Sequence, residues 1–229
     1  MMELCGFEIL VRGSSPWCSL FSREEWEDFE YARDVLHFYR AGPGNMYAGV
    51  MGGLWLDAIA ELLVQDSKES SDVGSGGGTG EVYASFVHDG DIVPVLAALG
   101  IFDEEDAEQV LPTDHVKRNR RWRTSDLVPM AGRLVIERLN CRTPHGWRYR
   151  DVRLFINDGW VGWAVDGGGR ASTGEEKRRR TKTDRVFVPQ VEVGRFREMV
   201  RRKKEEFGSF TEVCGLAEGV EERIGFLHQ

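Results

Sequence analysis

The stretch "VYASFVHDGDIVP", residues 82 to 94, constrains the fold more than any other part of the chain. An apolar run leads into an adjacent His88–Asp89 pair, and a second apolar run, "VPVLAALGIF", follows it. "EVYASFV" is short and carries Val, Tyr and Phe, which predicts a buried strand. "DIVPVLAALG" predicts a helix with Asp91 as N-cap, Pro94 in the first turn and Gly100 at the end. A strand that ends where a helix begins is a favoured ligand position in α/β sheets. The free amides and dipole of the helix's first turn attract anions, phosphate above all. A histidine there can donate to a phosphate oxygen, and an aspartate beside it can give a proton to a departing alkoxide. Taken alone, an HD dipeptide is weak evidence and is better explained as a loop histidine beside an N-capping aspartate.

The surrounding pattern predicts several elements. "CSLFSREEWEDFEYARDVLHFYRAGPG" reads as a helix opened by a capping box, Ser22 with Glu25, and closed by Gly42-Pro43-Gly44. Trp26, Phe29, Tyr31, Val35, Leu36 and Phe38 supply much of its apolar surface. "MYAGVMGGLWLDAIAELLVQ" reads as a second helix with Met51, Trp55, Ile59 and Leu62 on one side as core packing. Gly52-Gly53 inside it lowers helix propensity and permits close approach to a neighbour. "DSKESSDVGSGGGTG", residues 66 to 80, reads as a flexible linker without the Lys and Ser/Thr of a P-loop. "MAGRLVIERLNC" and "YRDVRLFIND" alternate as two strands, and "RTPHG" between them supplies the turn of an antiparallel hairpin. "DGGGRASTGEEKRRRTKTD" reads as an exposed loop, and "VGRFREMVRRKKEEFGSF" as a final helix.

Composition removes some classes. A chain of 229 residues, 41% hydrophobic, holds one good-sized domain or two small ones with a packed core. A formal charge of −8 argues against a general nucleic-acid binder. No apolar run is long enough to span a bilayer. "MMELCGFEILVRGSS" places acidic Glu3 where a signal peptide wants basic residues, and no N-x-S/T site occurs. Cys5, Cys18, Cys141 and Cys214 form no CxxC pair, so structural zinc is not expected. An even count permits disulfides, although a chain without an export signal would not ordinarily form them.

Three segments carry a family resemblance. "CGFEILVRGSSPWCSLFSREEWEDFEYARDVLHFYRAGPGN", "SFVHDGDIVPVLAALGIF" and "WRTSDLVPMAGRLVIERLNC" resemble the C-terminal part of fungal histidine acid phosphatases, the phytase-like branch, over about residues 4 to 158. The resemblance implies an α/β fold: a phosphoglycerate-mutase-like histidine phosphatase core with a parallel-rich sheet and flanking helices. It implies hydrolysis of phosphomonoesters, phytate among them, at acidic pH through a phosphohistidine, with no metal and no cofactor. It makes Asp89 the proton donor and His88 a phosphate contact. It also implies a usual extracellular location, with a cytoplasmic one left open by the missing export signal.

The family's other signature, R-H-G-x-R-x-P with the nucleophilic histidine, has no match in the 229 residues. "PHGWRYR" holds H-G-x-R at His145, Gly146 and Arg148, but Pro144 precedes it and Arg150 stands where Pro belongs. It reads as a hairpin turn. Arg12-Gly13 lacks the histidine. Cys5 and Cys18 resemble a local disulfide of the family, whereas Cys141 and Cys214 resemble cysteines whose partners lie earlier in it. The alternative is four buried thiols in a reducing compartment. The chain is thus expected to be a C-terminal portion whose core lacks its N-terminal strands. "EVYASFV" would then lose a neighbour, expose an edge and an apolar face, and leave the chain marginally stable.

Residues 1–165 are assigned to the phosphatase domain portion, 166–187 to a divergent basic and Gly-rich loop, and 188–229 to a C-terminal helical tail. The loop departs from the family as an insertion or a misplaced exon boundary. "HVKRNRRWRTSD" and "KRRRTK" admit a nucleic-acid reading through phosphate contacts and Trp stacking. The net negative charge favours solvated loops instead, and neither nucleic acid nor membrane is expected as a partner. Two main functional readings remain: a phosphomonoester hydrolase portion inactive alone for want of the nucleophile, and a non-catalytic phosphate-binding pseudoenzyme or interaction module.

Overall fold

The structure, a computed structural model, describes residues 1–65, 82–101, 110–166, 185–217, 219–222 and 224. The linker at 66–80, most of the loop at 166–184 and its "KRRRTK" run lie outside the described residues.

The chain opens with a helix that sequence reasoning missed, α1 (Met2–Arg12), closed by Gly13 in the left-handed region. A 3-10 turn at Pro16–Leu20 follows, and a disulfide joins Cys5 to Cys18 across it. In α2 (Arg23–Arg40) the capping box forms as expected. Ser22 Oγ accepts the Glu25 N–H at 3.2 Å, and the Glu25 carboxylate accepts the Ser22 N–H at 2.8 Å. The buried face of α2 is partly polar, however: Tyr31, Asp34, His37 and Phe38 turn inward, while Leu36 is exposed.

Helix α3 (Ala48–Val64) departs from its predicted stripe. Met51 is exposed and Trp55 and Leu62 are half-buried, whereas Gly49, Gly52, Leu56, Ile59 and Ala60 are buried. The reason is close packing against α4 (Asp89–Leu99). A Cβ on Gly52 would lie 2.0 Å from the Pro94 carbonyl oxygen, so only glycine fits there, whereas one on Gly53 would meet nothing.

Helix α4 begins three residues before its predicted start. His88, not Asp91, is the N-cap, and Asp91 at the third helical position reaches back to accept the His88 N–H at 2.9 Å. Pro94 therefore sits beyond the first turn. Gly100 ends the helix with φ 66. The expected buried strand before it is corrected. Residues 82–87 belong to no strand among the described residues, and all of them are exposed, Phe86 at 98%. No neighbouring described strand offers their N–H and C=O groups a ladder.

The short helix α5 (Thr124–Leu127) precedes the predicted hairpin, β1 (Leu134–Arg142) with β2 (Arg148–Ile156). Their antiparallel register runs from Leu134 opposite Ile156 to Arg142 opposite Arg148. Residues 143–147 form the turn, so the His145-Gly146 decoy is structural. On its other flank β2 pairs with β3 (Gly159–Val161) and β6 (Val191–Glu192), and β4 (Trp163–Asp166) pairs with β5 (Arg185–Val188). Every described ladder is antiparallel, where the family resemblance implied a parallel-rich sheet; the tight turns at 143–147 and 157–158 dictate that direction for β1–β2 and β2–β3. The chain continues into α6 (Val193–Phe207) and α7 (Phe210–Val213).

Two cores meet on α4. Val95 and Ala98 join Leu56, Val152, Leu154, Trp163 and Phe196 between the helices and the sheet. Val93 and Leu96 join Tyr31, Phe38, Leu111, Trp122 and Leu127 on the opposite side. This double burial explains why α4 is apolar nearly all round. Each of its fully buried Val and Leu side chains contributes about 1.5–3 kcal/mol, which pins the helix that carries the His–Asp pair.

Candidate active site

The pair lies where α4 begins, and its two side chains part company. His88 projects into solvent at 95% exposure, with Nδ1 3.4 Å from Asp91 Oδ2. Asp89, at 48% exposure, faces inward toward α2. Its Oδ1 accepts the Gly90 N–H at 2.7 Å, and its Oδ2 lies 3.4 Å from His37 Nε2. The helix start thus presents an open imidazole and a half-sheltered carboxylate at the positive end of the α4 dipole, with the Gly90 N–H engaged by Asp89 Oδ1 and the Asp91 N–H by the His88 carbonyl at 3.0 Å.

His37 is the residue that sequence reasoning passed over. Only 3% of its side chain is exposed, and neither ring nitrogen has a hydrogen-bond partner among the described residues. The contact with Asp89 is close but poorly aligned for a hydrogen bond. Burial holds the imidazole below its ordinary pKa, with Arg33 and Arg40 acting in the same direction, while the charges of Asp89 and Asp34 oppose them. The available signal was polar spacing: Asp34 and His37 fall among Tyr31 and Phe38 on the inward side of an amphipathic helix, where polar groups need buried partners.

Asp34 is paired, one turn before His37. Arg120 Nε donates to its Oδ2, and the Thr124 N–H donates to its Oδ1 at 2.6 Å. Arg120 also donates to Glu30 at 2.7 Å and stacks over the Tyr31 ring at 5.0 Å. Arg118 donates to Glu27 at 2.6 Å, and Trp122 is core. The basic stretch "HVKRNRRWRTSD" therefore binds the acidic face of α2, and its Trp is not available for stacking on a base.

Cys141 is half-buried and Cys214 exposed, both as free thiols, so the four-buried-thiols alternative is overturned. Among the described residues no group of three His, Cys, Asp or Glu side chains stands close enough to hold a metal ion. None of the described helices is long and apolar enough to cross a membrane.

A helix-start His–Asp pair in a mixed helix-and-sheet fold has a counterpart among known families: the chain belongs to the histidine phosphatase superfamily (branch 2), whose family model matches residues 1–157. It is 36% identical over 138 residues to the thiamine-repressible acid phosphatase pho4 of Schizosaccharomyces pombe, covering 60% of this chain and 28% of that protein. It is 34% identical over 154 residues to acid phosphatase PHO1 of Komagataella pastoris, covering 67% and 30%. It is 36% identical over 161 residues to phytase PHO112 of Candida albicans, covering 70% and 31%. The chain therefore matches less than a third of the length of each of these relatives.

Proposed function

We propose that this chain carries the acid side of a phosphomonoester hydrolase site, with Asp89 as proton donor and His88 as phosphate contact. One observation carries the reading: in a chain of this family, a half-exposed carboxylate and an open imidazole occupy the first turn of a helix pinned by two cores. The chemistry follows from the groups. The positive end of the α4 dipole and the open His88 ring draw a phosphate ester to the helix start. Asp89 protonates the departing alkoxide, and its carboxylate then takes a proton from the attacking water. The step between them needs a histidine nucleophile, and no R-H-G-x-R-x-P occurs in the 229 residues. The chain alone is accordingly expected to bind phosphate without turnover.

The substrate class is an organic phosphate such as phytate, in line with the acid phosphatases and the phytase that the chain resembles. The Cys5–Cys18 bridge fits an oxidising, extracellular setting. The missing nucleophile signature also favours a second reading, a non-catalytic phosphate-binding module.

Inorganic phosphate titrated against the isotope-labelled chain tests the site. Saturable shifts at the Asp89 to Ile92 amides, weakened in His88→Ala, are expected. With p-nitrophenyl phosphate at about pH 5, no turnover above buffer is expected. Turnover abolished by Asp89→Asn would support the hydrolase over the binding module. Neither shifts nor turnover would sink both.

A further inference from the structure

We propose that His37 is a positioning residue for Asp89, a buried imidazole that holds the carboxylate oxygen Oδ2 in place whether Asp89 is ionised or protonated. This inference rests on the reading of Asp89 as proton donor. The two oxygens of Asp89 are already distinguished: Oδ1 is engaged by the Gly90 N–H at 2.7 Å, and Oδ2 faces His37 Nε2 at 3.4 Å. A buried polar ring with both nitrogens unpaired is costly and calls for a partner. Asp89 Oδ2 is the group that stands next to it.

The choice of imidazole has a chemical reason. A residue that must act first as acid and then as base changes its own hydrogen-bonding character during the reaction. An ionised carboxylate only accepts, whereas a carboxylic acid also donates. Lys or Arg beside it would only donate and would favour the ionised form alone. A neutral imidazole serves both states: with the proton on Nε2 it donates to the carboxylate, and with the proton on Nδ1 its Nε2 accepts from the acid. Burial helps keep His37 neutral, as do the α2 cations Arg33 and Arg40, against the opposing charges of Asp34 on α2 and Asp89 on α4.

The contact can be read in the full chain without any activity. The His37 ring is followed by NMR across pH. In Asp89→Asn its titration midpoint is expected to fall by about half a pH unit, because the anion that favours the imidazolium is gone. Asp91→Asn, beside His88, is expected to leave it unmoved. Three-bond couplings then report the Asp89 side-chain rotamer. One rotamer is expected in the parent and in His37→Gln, whose amide both donates and accepts, and averaging in His37→Leu. An unmoved midpoint in Asp89→Asn, or an unchanged Asp89 rotamer in a folded His37→Leu, would overturn the proposal. Loss of phosphate binding or turnover would count against the parent reading only, since neither enters these measurements.

Discussion

Asp34 shows what a single carboxylate costs and secures when it has no access to water. It is fully buried, and its charge is compensated by Arg120 and the Thr124 amide, which ties α2 to the segment leading into α5. Removing one member of such a pair leaves the other charged and unpartnered. Asp34→Ala is expected to destabilise the chain by about 3–5 kcal/mol, measured by urea unfolding, and Asp34→Ala with Arg120→Met is expected to recover part of that loss. His37 makes a pH-dependent contribution of definite sign. Its folded-state pKa lies below its unfolded value, so the unfolded chain binds the extra proton. Its contribution is complete above about pH 6.5 and diminishes as pH falls through that value. The melting temperature is expected to drop between about pH 7 and about pH 5, and His37→Gln is expected to flatten that slope.

At the scale of elements, α3 and α4 approach until backbone meets backbone at Gly52 and Pro94. Gly52→Ala would force them apart and is expected to cost about 1–3 kcal/mol, read as a lowered urea midpoint, while Gly53→Ala is expected to be neutral or stabilising. The α7 region holds a different device. The Glu222 carboxylate accepts from Ser209 Oγ, Thr211 Oγ1 and the Thr211 N–H, which together bring its pKa down to about 2. That contribution is present above the ordinary value of 4.5 and is lost as pH falls toward 2. The protection factor of the Thr211 amide, the ratio of an open amide's exchange rate at the same pH to its own, is expected to fall over that interval.

How legible these elements were depended on where their determinants lay. The α2 capping box and the β1–β2 hairpin are encoded within a few residues of themselves, and both appear with the expected chemistry. The buried face of α3 was set by the closeness of α4, so Gly49, Gly52, Leu56 and Ala60 turned inward, and of the predicted Met51 to Leu62 stripe Ile59 alone is buried. The position of His88 and Asp89 at a helix start was legible from the apolar runs on either side of them. His37 was not, because its partner is 52 positions away and only the crossing of α2 and α4 brings them together. The run 82–87 carried strand chemistry in its residues, but a strand also needs a neighbour.

For the whole molecule, the run at 82–87, which joins no strand among the described residues, exposes Val82, Phe86 and Val87, and α1 adds exposed Phe7, Leu10 and Val11. Clustered exposed apolar side chains favour association. Sedimentation of the isolated chain is expected to show concentration-dependent assembly that Phe86→Ser reduces; a strictly monomeric chain with a sharp cooperative melt would contradict this. Helix α4 works against such looseness. Gripped on both flanks, it cannot drift with one core while the other stays fixed. Fluctuations large enough to misplace its first carboxylate are then those that dissolve both cores at once, so the reach of Asp89 is held as steadily as the folded chain itself.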